Sequence, residues 1–175
     1  SLYIDGLEGA DTVTAANAVD GITALVGAGD DSLTFSGDVT DSNLQLGKGN
    51  DTASFQDFES STAVGANGND TITVNRSADA SKLTGGSGAD QILITLNATN
   101  QTTINGGADN DVITVGGELN ASTIYGGKQQ DAITVSGGID AGLVRGDKNE
   151  DTIVVNGTLT NATISGGSEN DTIDI

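Results

Sequence analysis

The chain has 175 residues, of which 25 are acidic and 6 are basic, so its net charge is −19. This charge repels phosphate groups and therefore excludes nucleic acid and anionic membrane surfaces as partners. Histidine and cysteine are both absent, which excludes metal sites built on imidazole or thiolate ligands. A metal ion would have to be held by oxygen atoms, and calcium and magnesium are the ions that such ligands suit. No long apolar run is present, so we expect no insertion into a membrane.

From its first residues onward the chain repeats one unit. The unit is marked by an aspartate that recurs at intervals of 19 to 21 residues, at Asp11, Asp31, Asp51, Asp70, Asp90, Asp111, Asp131, Asp151 and Asp171. Nine markers at nearly constant spacing predict a repeat protein whose units stack on one another.

Three apolar columns keep register with the marker aspartate. The first lies seven residues before it, at Ile4, Ala24, Leu44, Ala63, Leu83, Ile104, Ile124, Val144 and Ile164. The second lies two residues after it, at Val13, Leu33, Ala53, Ile72, Ile92, Ile113, Ile133, Ile153 and Ile173. The third lies four residues after it, at Ala15, Phe35, Phe55, Val74, Ile94, Val115, Val135, Val155 and Ile175. A period of two is typical of a strand with one buried face, so each unit is predicted to hold two short strands.

The two strands of a unit are separated by a second turn, often a glycine followed by an apolar residue, as in Gly137 to Ile139. Because one unit cannot bury its own apolar face, the units must stack into a common core. We therefore predict an all-β fold, a parallel β-solenoid of about nine coils with two short strands each. The chain begins in a strand-like stretch at Leu2 to Ile4 and ends in another at Asp174 to Ile175. We expect residues 1–175 to be a single solenoid segment of a longer repeat protein.

The residues before each marker form a glycine-rich turn. The fifth coil has Gly85-Gly86-Ser87-Gly88-Ala89-Asp90, and the fourth has a similar run from Gly65 to Asp70. These turns resemble the GGxGxDxUx nonapeptide of the RTX family of bacterial exoproteins. In that family the glycines let the backbone bend sharply, and carbonyl oxygens with the aspartates of adjacent turns enclose Ca²⁺. The resemblance implies a β-roll-like solenoid whose calcium ligands are the nine marker aspartates and Gly27, Gly29, Gly47, Gly49, Gly65, Gly68, Gly85, Gly86, Gly88, Gly106 and Gly107.

The chain departs from the RTX pattern in two ways. An RTX roll has a calcium turn every nine residues on both edges, whereas this motif recurs about every 20 residues, so we expect RTX-type turns along one edge only. The glycine two residues before the aspartate is present in the first five coils, as Gly9, Gly29, Gly49, Gly68 and Gly88. It is then replaced by Asp109, Gln129, Asn149 and Glu169, so the resemblance is closest through Asp90, and sites from Asp111 onward are expected to be weaker, altered or empty.

The charge of the aspartate ladder also predicts a cation, without reference to the family. Carboxylates about 4.8 Å apart repel one another by roughly 3 to 4 kcal/mol per neighbouring pair at an effective dielectric constant near 20. Only Lys48, Lys128 and Lys148 lie in these turns, so the chain supplies little counter-charge. The alternative is that each aspartate caps its own turn through a local hydrogen bond while solvent screens its charge.

The repeat is uniform and holds no pair of acids in contrasting environments, so we expect no enzymatic activity. The leading hypothesis is a calcium-binding structural segment of a secreted bacterial surface protein, such as an S-layer subunit, an adhesin stalk or an extracellular filament. It would lie outside the cell or on its surface, where calcium promotes folding and assembly, and it could self-associate into an array or filament. The resemblance also allows a secretion and folding module of an exoenzyme or toxin. A third hypothesis, ice or ligand binding by outward threonines, is less favoured because Gln91, Leu93 and Val112 interrupt the columns.

Overall fold

The computed structural model describes residues 3–6 and 8–175, which form 26 strands, numbered β1–β26 in chain order, in three sheets. All recorded strand pairs are parallel, as in Ile4 of β1 beside Ala24 of β4. Leu2, which the sequence pattern assigns to the first strand, lies outside the described residues, and β1 begins at Tyr3. None of the described residues belongs to a helix long and apolar enough to cross a membrane.

Each of the first eight coils places one strand in each sheet, and the ninth supplies only β25 and β26. Every strand except those at the two ends of a sheet pairs with its counterparts one coil before and one coil after. Sheet A consists of β1 (Tyr3–Asp5), β4 (Thr23–Ala28), β7 (Asn43–Lys48), β10 (Thr62–Asn67), β13 (Lys82–Ser87), β16 (Thr103–Ala108), β19 (Thr123–Lys128), β22 (Leu143–Asp147) and β25 (Thr163–Gly167). Sheet B consists of β2 (Thr12–Ala15), β5 (Ser32–Phe35), β8 (Thr52–Phe55), β11 (Thr71–Val74), β14 (Gln91–Ile94), β17 (Val112–Val115), β20 (Ala132–Val135), β23 (Thr152–Val155) and β26 (Thr172–Asp174). Sheet C consists of β3 (Val19–Asp20), β6 (Val39–Thr40), β9 (Phe58–Glu59), β12 (Ala78–Asp79), β15 (Ala98–Thr99), β18 (Leu119–Asn120), β21 (Ile139–Asp140) and β24 (Leu159–Thr160).

The predicted parallel β-solenoid is confirmed, and the apolar columns form its core. Ile72 of β11 pairs with Ala53 of β8 and with Ile92 of β14, so members of one column stack directly on one another. From Leu33 to Ile153 every member of the column two residues after the marker is buried. Because each coil contributes only a few apolar side chains, the core exists only where coils stack.

The structure adds a short third strand to the predicted two. The segment predicted as a turn between the strands contains a two-residue strand that pairs with its counterpart in the next coil, and Leu119 of β18 beside Ile139 of β21 is one example. Two residues are too few to show a period of two in the sequence. Each complete coil is therefore three-sided, with a corner between successive sheets.

The two irregular spacings of the marker are absorbed at corners. In the 19-residue coil, only two residues separate β8 from β9, whereas three separate β5 from β6. In the 21-residue coil the extra residue lies between β15 and β16, where both Asn100 and Gln101 have left-handed backbone, with φ of 53° and 69°. The sheets stay in register through both coils, as the pairing of Lys82 with Thr103 shows.

Candidate metal-binding site at the aspartate corner

The nine marker aspartates lie where the chain passes from sheet A to sheet B, and we call this edge of the solenoid the aspartate corner. Each marker directly precedes a strand of sheet B, so its side chain points to the same side as the apolar residue two positions later. The carboxyl groups therefore face inward. Seven of the nine are buried, with exposed fractions of 3% or less: Asp31, Asp51, Asp70, Asp90, Asp111, Asp131 and Asp151.

One oxygen of each carboxyl group ties neighbouring coils together. The backbone N–H of Asp111 donates to Oδ1 of Asp131 over 2.8 Å, and the N–H of Asp131 donates to Oδ1 of Asp151 over the same distance. Equivalent bonds of 2.7 to 2.9 Å run along the whole ladder, from Asp11 to Asp171. Each of these aspartates therefore accepts a hydrogen bond from the adjacent coil. It does not cap its own turn, which was the alternative.

The second oxygen of the carboxyl group has no donor. Among the described residues, Oδ2 is buried and without a hydrogen-bond partner in Asp11, Asp31, Asp51, Asp70, Asp90, Asp111, Asp131 and Asp151. Leaving one buried polar group unsatisfied costs about 1 to 3 kcal/mol, and more when the group is charged. A row of eight such atoms calls for a positive charge or a proton at each of them.

A glycine five residues before the aspartate lets the carboxyl group pack directly against the backbone. An ideal Cβ on Gly126 would lie 2.5 Å from Oδ2 of Asp131 and 2.8 Å from the carbonyl oxygen of Gly146 in the next coil. A methyl group at this position would therefore collide with both atoms. The same glycine occurs in seven coils, at Gly6, Gly65, Gly85, Gly106, Gly126, Gly146 and Gly166, whereas the buried side chains of Val26 and Leu46 take its place in the second and third coils.

The predicted glycine ligands thus occupy three different positions. Gly65, Gly85 and Gly106 lie beside the carboxyl group itself. Gly27, Gly47, Gly86 and Gly107 lie one residue later, with φ between 113° and 127°. Gly29, Gly49, Gly68 and Gly88 lie two residues before the aspartate, with φ between 115° and 136°. The last two sets let the backbone bend, and the first set leaves room at the carboxyl group.

Loss of the glycine two residues before the aspartate does not change the corner. Asp109, Gln129, Asn149 and Glu169 keep left-handed backbone, with φ of 72° to 77°. Asp111, Asp131 and Asp151 are as buried as the earlier aspartates and make the same hydrogen bonds. Backbone geometry therefore gives no reason to separate the late coils from the early ones.

Burial raises the pKa values of several aspartates in the ladder. Desolvation raises the pKa of Asp70 to about 7, that of Asp90 to about 6, that of Asp111 to about 8 and that of Asp131 to about 7. Charges on neighbouring acids raise these values further, while the hydrogen bond from the preceding coil lowers them. Burial also raises the pKa of Asp51 and that of Asp151. With these raised pKa values, Asp70, Asp90, Asp111 and Asp131 can each hold a proton near neutral pH.

The polar side-chain atoms that face this corner are carboxylate oxygens, the kind of ligand that hard cations prefer. No group of three or more acidic side chains converges on one point within residues 3–6 and 8–175. An ion would therefore take one carboxylate oxygen from a coil and complete its shell with carbonyl oxygens such as that of Gly146, which bounds the space at Asp131 Oδ2. Calcium accepts such mixed carboxylate and carbonyl shells of six to eight oxygens, whereas magnesium demands a near-octahedral shell.

Two features of the coil were not among the predicted site residues. Gly126, Gly146 and Gly166 belong to the column that touches the carboxyl group, and their constant place five residues before the marker was the available signal. A second buried polar column, which we call the serine corner, lies between sheets C and A and consists of Ser42, Ser61, Ser81, Thr102 and Ser122. Its signal was a hydroxyl residue 10 to 12 positions after five of the markers.

The chain matches no protein-family model, no curated protein and no solved structure with which it was compared.

Proposed function

We propose that this β-solenoid is a calcium-binding structural segment of a secreted bacterial surface protein, such as an S-layer subunit, an adhesin stalk or an extracellular filament. The observation that supports this most directly is the row of buried aspartate Oδ2 atoms without a donor. A structural protein has no evident use for buried charge unless something neutralises it, because each unpaired buried carboxylate lowers stability.

The proposed calcium ligands are the Oδ2 atoms of the ladder and carbonyl oxygens of the glycine turns. Asp11, Asp70, Asp90, Asp111, Asp131 and Asp151 are the best candidates, because each has the glycine beside its carboxyl group and a buried Oδ2 without a donor. At Asp31 and Asp51 the buried side chains of Val26 and Leu46 stand where that glycine would be. Bound calcium would supply positive charge between successive carboxylates. The best candidate coils are therefore the first and the fourth to eighth.

Folding is proposed to depend on the calcium concentration of the surroundings. Without a cation, neighbouring carboxylates one strand spacing apart repel by roughly 3 to 4 kcal/mol at an effective dielectric constant near 20. A ligand that binds only the folded chain adds to its stability in proportion to the logarithm of the ligand concentration. A chain of this kind stays poorly folded where calcium is scarce and folds after export, which is the order of events that the RTX resemblance implies.

Assembly is the last part of the proposal. A structural segment at the cell surface acts together with other copies, and we propose self-association into an array or filament once calcium has fixed the fold. Exposed strand edges are able to pair with another chain. The calcium requirement then confines assembly to the outside of the cell.

A far-ultraviolet circular dichroism titration tests this function. The chain is placed in excess chelator, and calcium is added while β-sheet signal and thermal midpoint are followed, with magnesium at equal ionic strength as the control. We expect cooperative gain of β structure and a large rise in the midpoint with calcium, and little change with magnesium. A chain that is equally folded and equally heat-stable in excess chelator would rule out the coupling of calcium to folding.

A further inference from the structure

The few basic residues of this acidic chain are collected on one face. Five of the six lie in sheet A strands or directly after one, namely Lys48, Lys82, Lys128, Arg145 and Lys148. The eight sheet A strands from β4 to β25 contain only one acidic residue, Asp147. The outer surface of sheet A is therefore neutral to positive on a protein whose net charge is −19.

A depression of about 460 Å³ lies on this face across the strands β16, β19 and β22. One wall is formed by Asn105, Tyr125 and Arg145, which are register partners on successive coils. The opposite wall carries Lys128 and Lys148, three residues further along β19 and the segment after β22. Gly107 and Gly127 pair between the walls and form the floor. The absence of side chains on these glycines is what leaves the surface hollow.

Three cations face this depression against one carboxylate. Nε of Arg145 lies 3.1 Å from Oδ1 of Asp147, which holds one edge of the guanidinium in place. Lys128 and Lys148 are exposed, and among the described residues neither forms an ion pair. The charged residues that line the depression thus sum to +2, and one further carboxylate lies beside the lining, that of Glu169, whose Oε2 accepts from Ser168 Oγ over 3.1 Å. Salt screens distant charges over about 8 Å at physiological ionic strength, so a bound group would sense mainly these nearby residues.

We propose that this depression binds a saccharide that carries a single carboxylate. Arginine and lysine donate charge-assisted hydrogen bonds to carboxylates, and arginine can do so with two parallel bonds. The half-buried ring of Tyr125 offers an apolar surface with a hydroxyl group, and the amide of Asn105 can both donate to and accept from sugar hydroxyls. The volume suits one or two sugar rings. A long polyanion is disfavoured because the remainder of the protein repels it.

The test is a ¹⁵N–¹H NMR titration of the calcium-loaded chain with glucuronate, glucose and acetate at equal ionic strength and equal free calcium. Glucuronate is expected to bind with a dissociation constant on the order of 1 mM and to shift the amides of β16, β19 and β22. Glucose and acetate are each expected to bind at least about tenfold more weakly, because glucose has no carboxylate for Arg145 and acetate has no sugar ring for Tyr125 and Asn105. Glucuronate attached to a longer neutral glycan should shift the same amides, which covers free and surface-linked sources.

Substitutions of residues that line the depression test whether glucuronate binds there. Arg145→Gln is expected to weaken glucuronate binding about tenfold or more, and Tyr125→Ala to weaken it several-fold. Lys82→Gln, on the same sheet but outside the depression, is the matched control and should leave binding unchanged. Circular dichroism of each variant checks that the solenoid is intact, so that a loss of binding is not a loss of fold.

Three outcomes would overturn the proposal. Equal binding of acetate and glucuronate would show a simple anion site. Shifts that do not include β16, β19 and β22 would place binding elsewhere. A dimer in sedimentation that Arg145→Gln abolishes, together with no response to glucuronate, would make the depression an interface between chains. Because the chain is kept calcium-loaded and folded throughout, failure here leaves the proposed calcium-dependent folding untouched.

Discussion

The aspartate corner and the serine corner both link neighbouring coils through side-chain hydrogen bonds, but with different side chains. At the serine corner the N–H of Ser61 donates to Oγ of Ser81 over 3.1 Å, and that hydroxyl donates in turn to the carbonyl oxygen of Asp79 over 2.8 Å. At the aspartate corner the N–H of Asp111 donates to Oδ1 of Asp131 over 2.8 Å, but Oδ2 of the same group has no donor. The serine hydroxyl both accepts and donates a hydrogen bond, whereas only one of the two carboxylate oxygens accepts one.

This difference shows that coil stacking alone does not require a carboxylate. A neutral side chain bridges neighbouring coils at one corner of the same coil, so the buried charge at the other corner has to be explained by something outside the chain. A buried carboxylate without a partner is among the more expensive groups in a protein interior. Calcium at the aspartate corner is the explanation that we propose.

The largest effect is expected from pH, because six aspartates of the ladder titrate together. Their pKa values are raised above the ordinary 3.8, to between about 6 and about 8 where the shift is largest. In chelator the folded chain therefore binds more protons than the unfolded chain across this range. The resulting stability is complete below the unfolded pKa and is lost as pH rises through the folded pKa values.

Urea unfolding between pH 5 and 9 measures this effect. In chelator the free energy of unfolding should fall steeply as pH rises. In saturating calcium the slope should flatten or reverse, since protons and calcium compete for the same oxygen atoms. Identical slopes in both conditions would mean that calcium does not bind at the ladder.

The next largest effect is expected from filling the space beside one carboxyl group. Gly126→Ala places a methyl group 2.5 Å from Asp131 Oδ2 and 2.8 Å from the carbonyl oxygen of Gly146. Neither neighbour can move without disturbing a sheet, so we expect a loss of about 3 kcal/mol in the free energy of unfolding. The same variant should bind fewer calcium ions than the parent chain.

Gly21→Ala is the matched control for that substitution. Gly21 has a φ of 61° and open space around its Cβ position, and Ala80, Ala121 and Ala141 already adopt similar φ values of 46° to 53° at the same corner of other coils. The control should cost less than about 1 kcal/mol. Equal losses for the two variants would contradict the assigned role of Gly126.

An intermediate effect, with opposite signs in the two conditions, is expected for Asp131→Asn at pH 8. The amide oxygen can still accept the N–H of Asp111, and the amide nitrogen can donate where Oδ2 has no partner. In chelator the variant should be more stable than the parent by about 1 to 2 kcal/mol, because a buried charge is removed. In calcium it should be less stable by a similar amount, because a ligand is lost.

Ser81→Ala is the comparison at the serine corner. It removes the acceptor of the Ser61 N–H, so we expect a loss of about 1 to 2 kcal/mol. Because no ion is proposed at this corner, the loss should be the same in chelator and in calcium. A change of sign for Ser81→Ala, or none for Asp131→Asn, would remove the distinction between the corners.

The smallest effect concerns the turn residue two positions before the aspartate. Gln129 has a φ of 72°, a conformation that glycine adopts without strain. Gln129→Gly should therefore raise the free energy of unfolding by up to about 1 kcal/mol, as measured in urea with calcium present. A clear loss of stability would show that the Gln129 side chain, whose Nε2 donates to Asp109 Oδ1 over 3.1 Å, contributes more than the strain removes.

The stacked coils were predictable from the sequence because the apolar positions keep a constant distance from the marker aspartate, which fixes how neighbouring coils pair. The columns headed by Ile4, Val13 and Ala15 each keep one offset from the marker, and the structure pairs their members coil by coil. The short strands of sheet C were not predictable, since two residues give no measurable period. The corners that absorb the 19- and 21-residue spacings also depend on tertiary pairing, which the spacing alone does not reveal.

The sequence identified the aspartates of the aspartate corner, but it did not reveal that their carboxyl groups are buried. The marker aspartates were evident, but a ladder of exposed carboxylates and a ladder of buried ones share the same spacing. Burial follows from the inward side of the strand together with the space left by Gly126 and its counterparts. The sequence pattern drew attention to Gly88 and its column, which bend the backbone, and the structure shows that a different glycine touches the carboxyl group.

Long-wavelength anomalous diffraction from crystals grown in calcium tests the central claim most directly. Calcium peaks are expected inside the aspartate corner beside the Oδ2 atoms of Asp11, Asp70, Asp90, Asp111, Asp131 and Asp151, and those from Asp70 to Asp151 should repeat at one coil spacing. Weaker peaks or none are expected at Asp31 and Asp51, where Val26 and Leu46 replace the glycine. A corner free of peaks in saturating calcium, with ions only on exposed acids, would contradict the calcium-binding account.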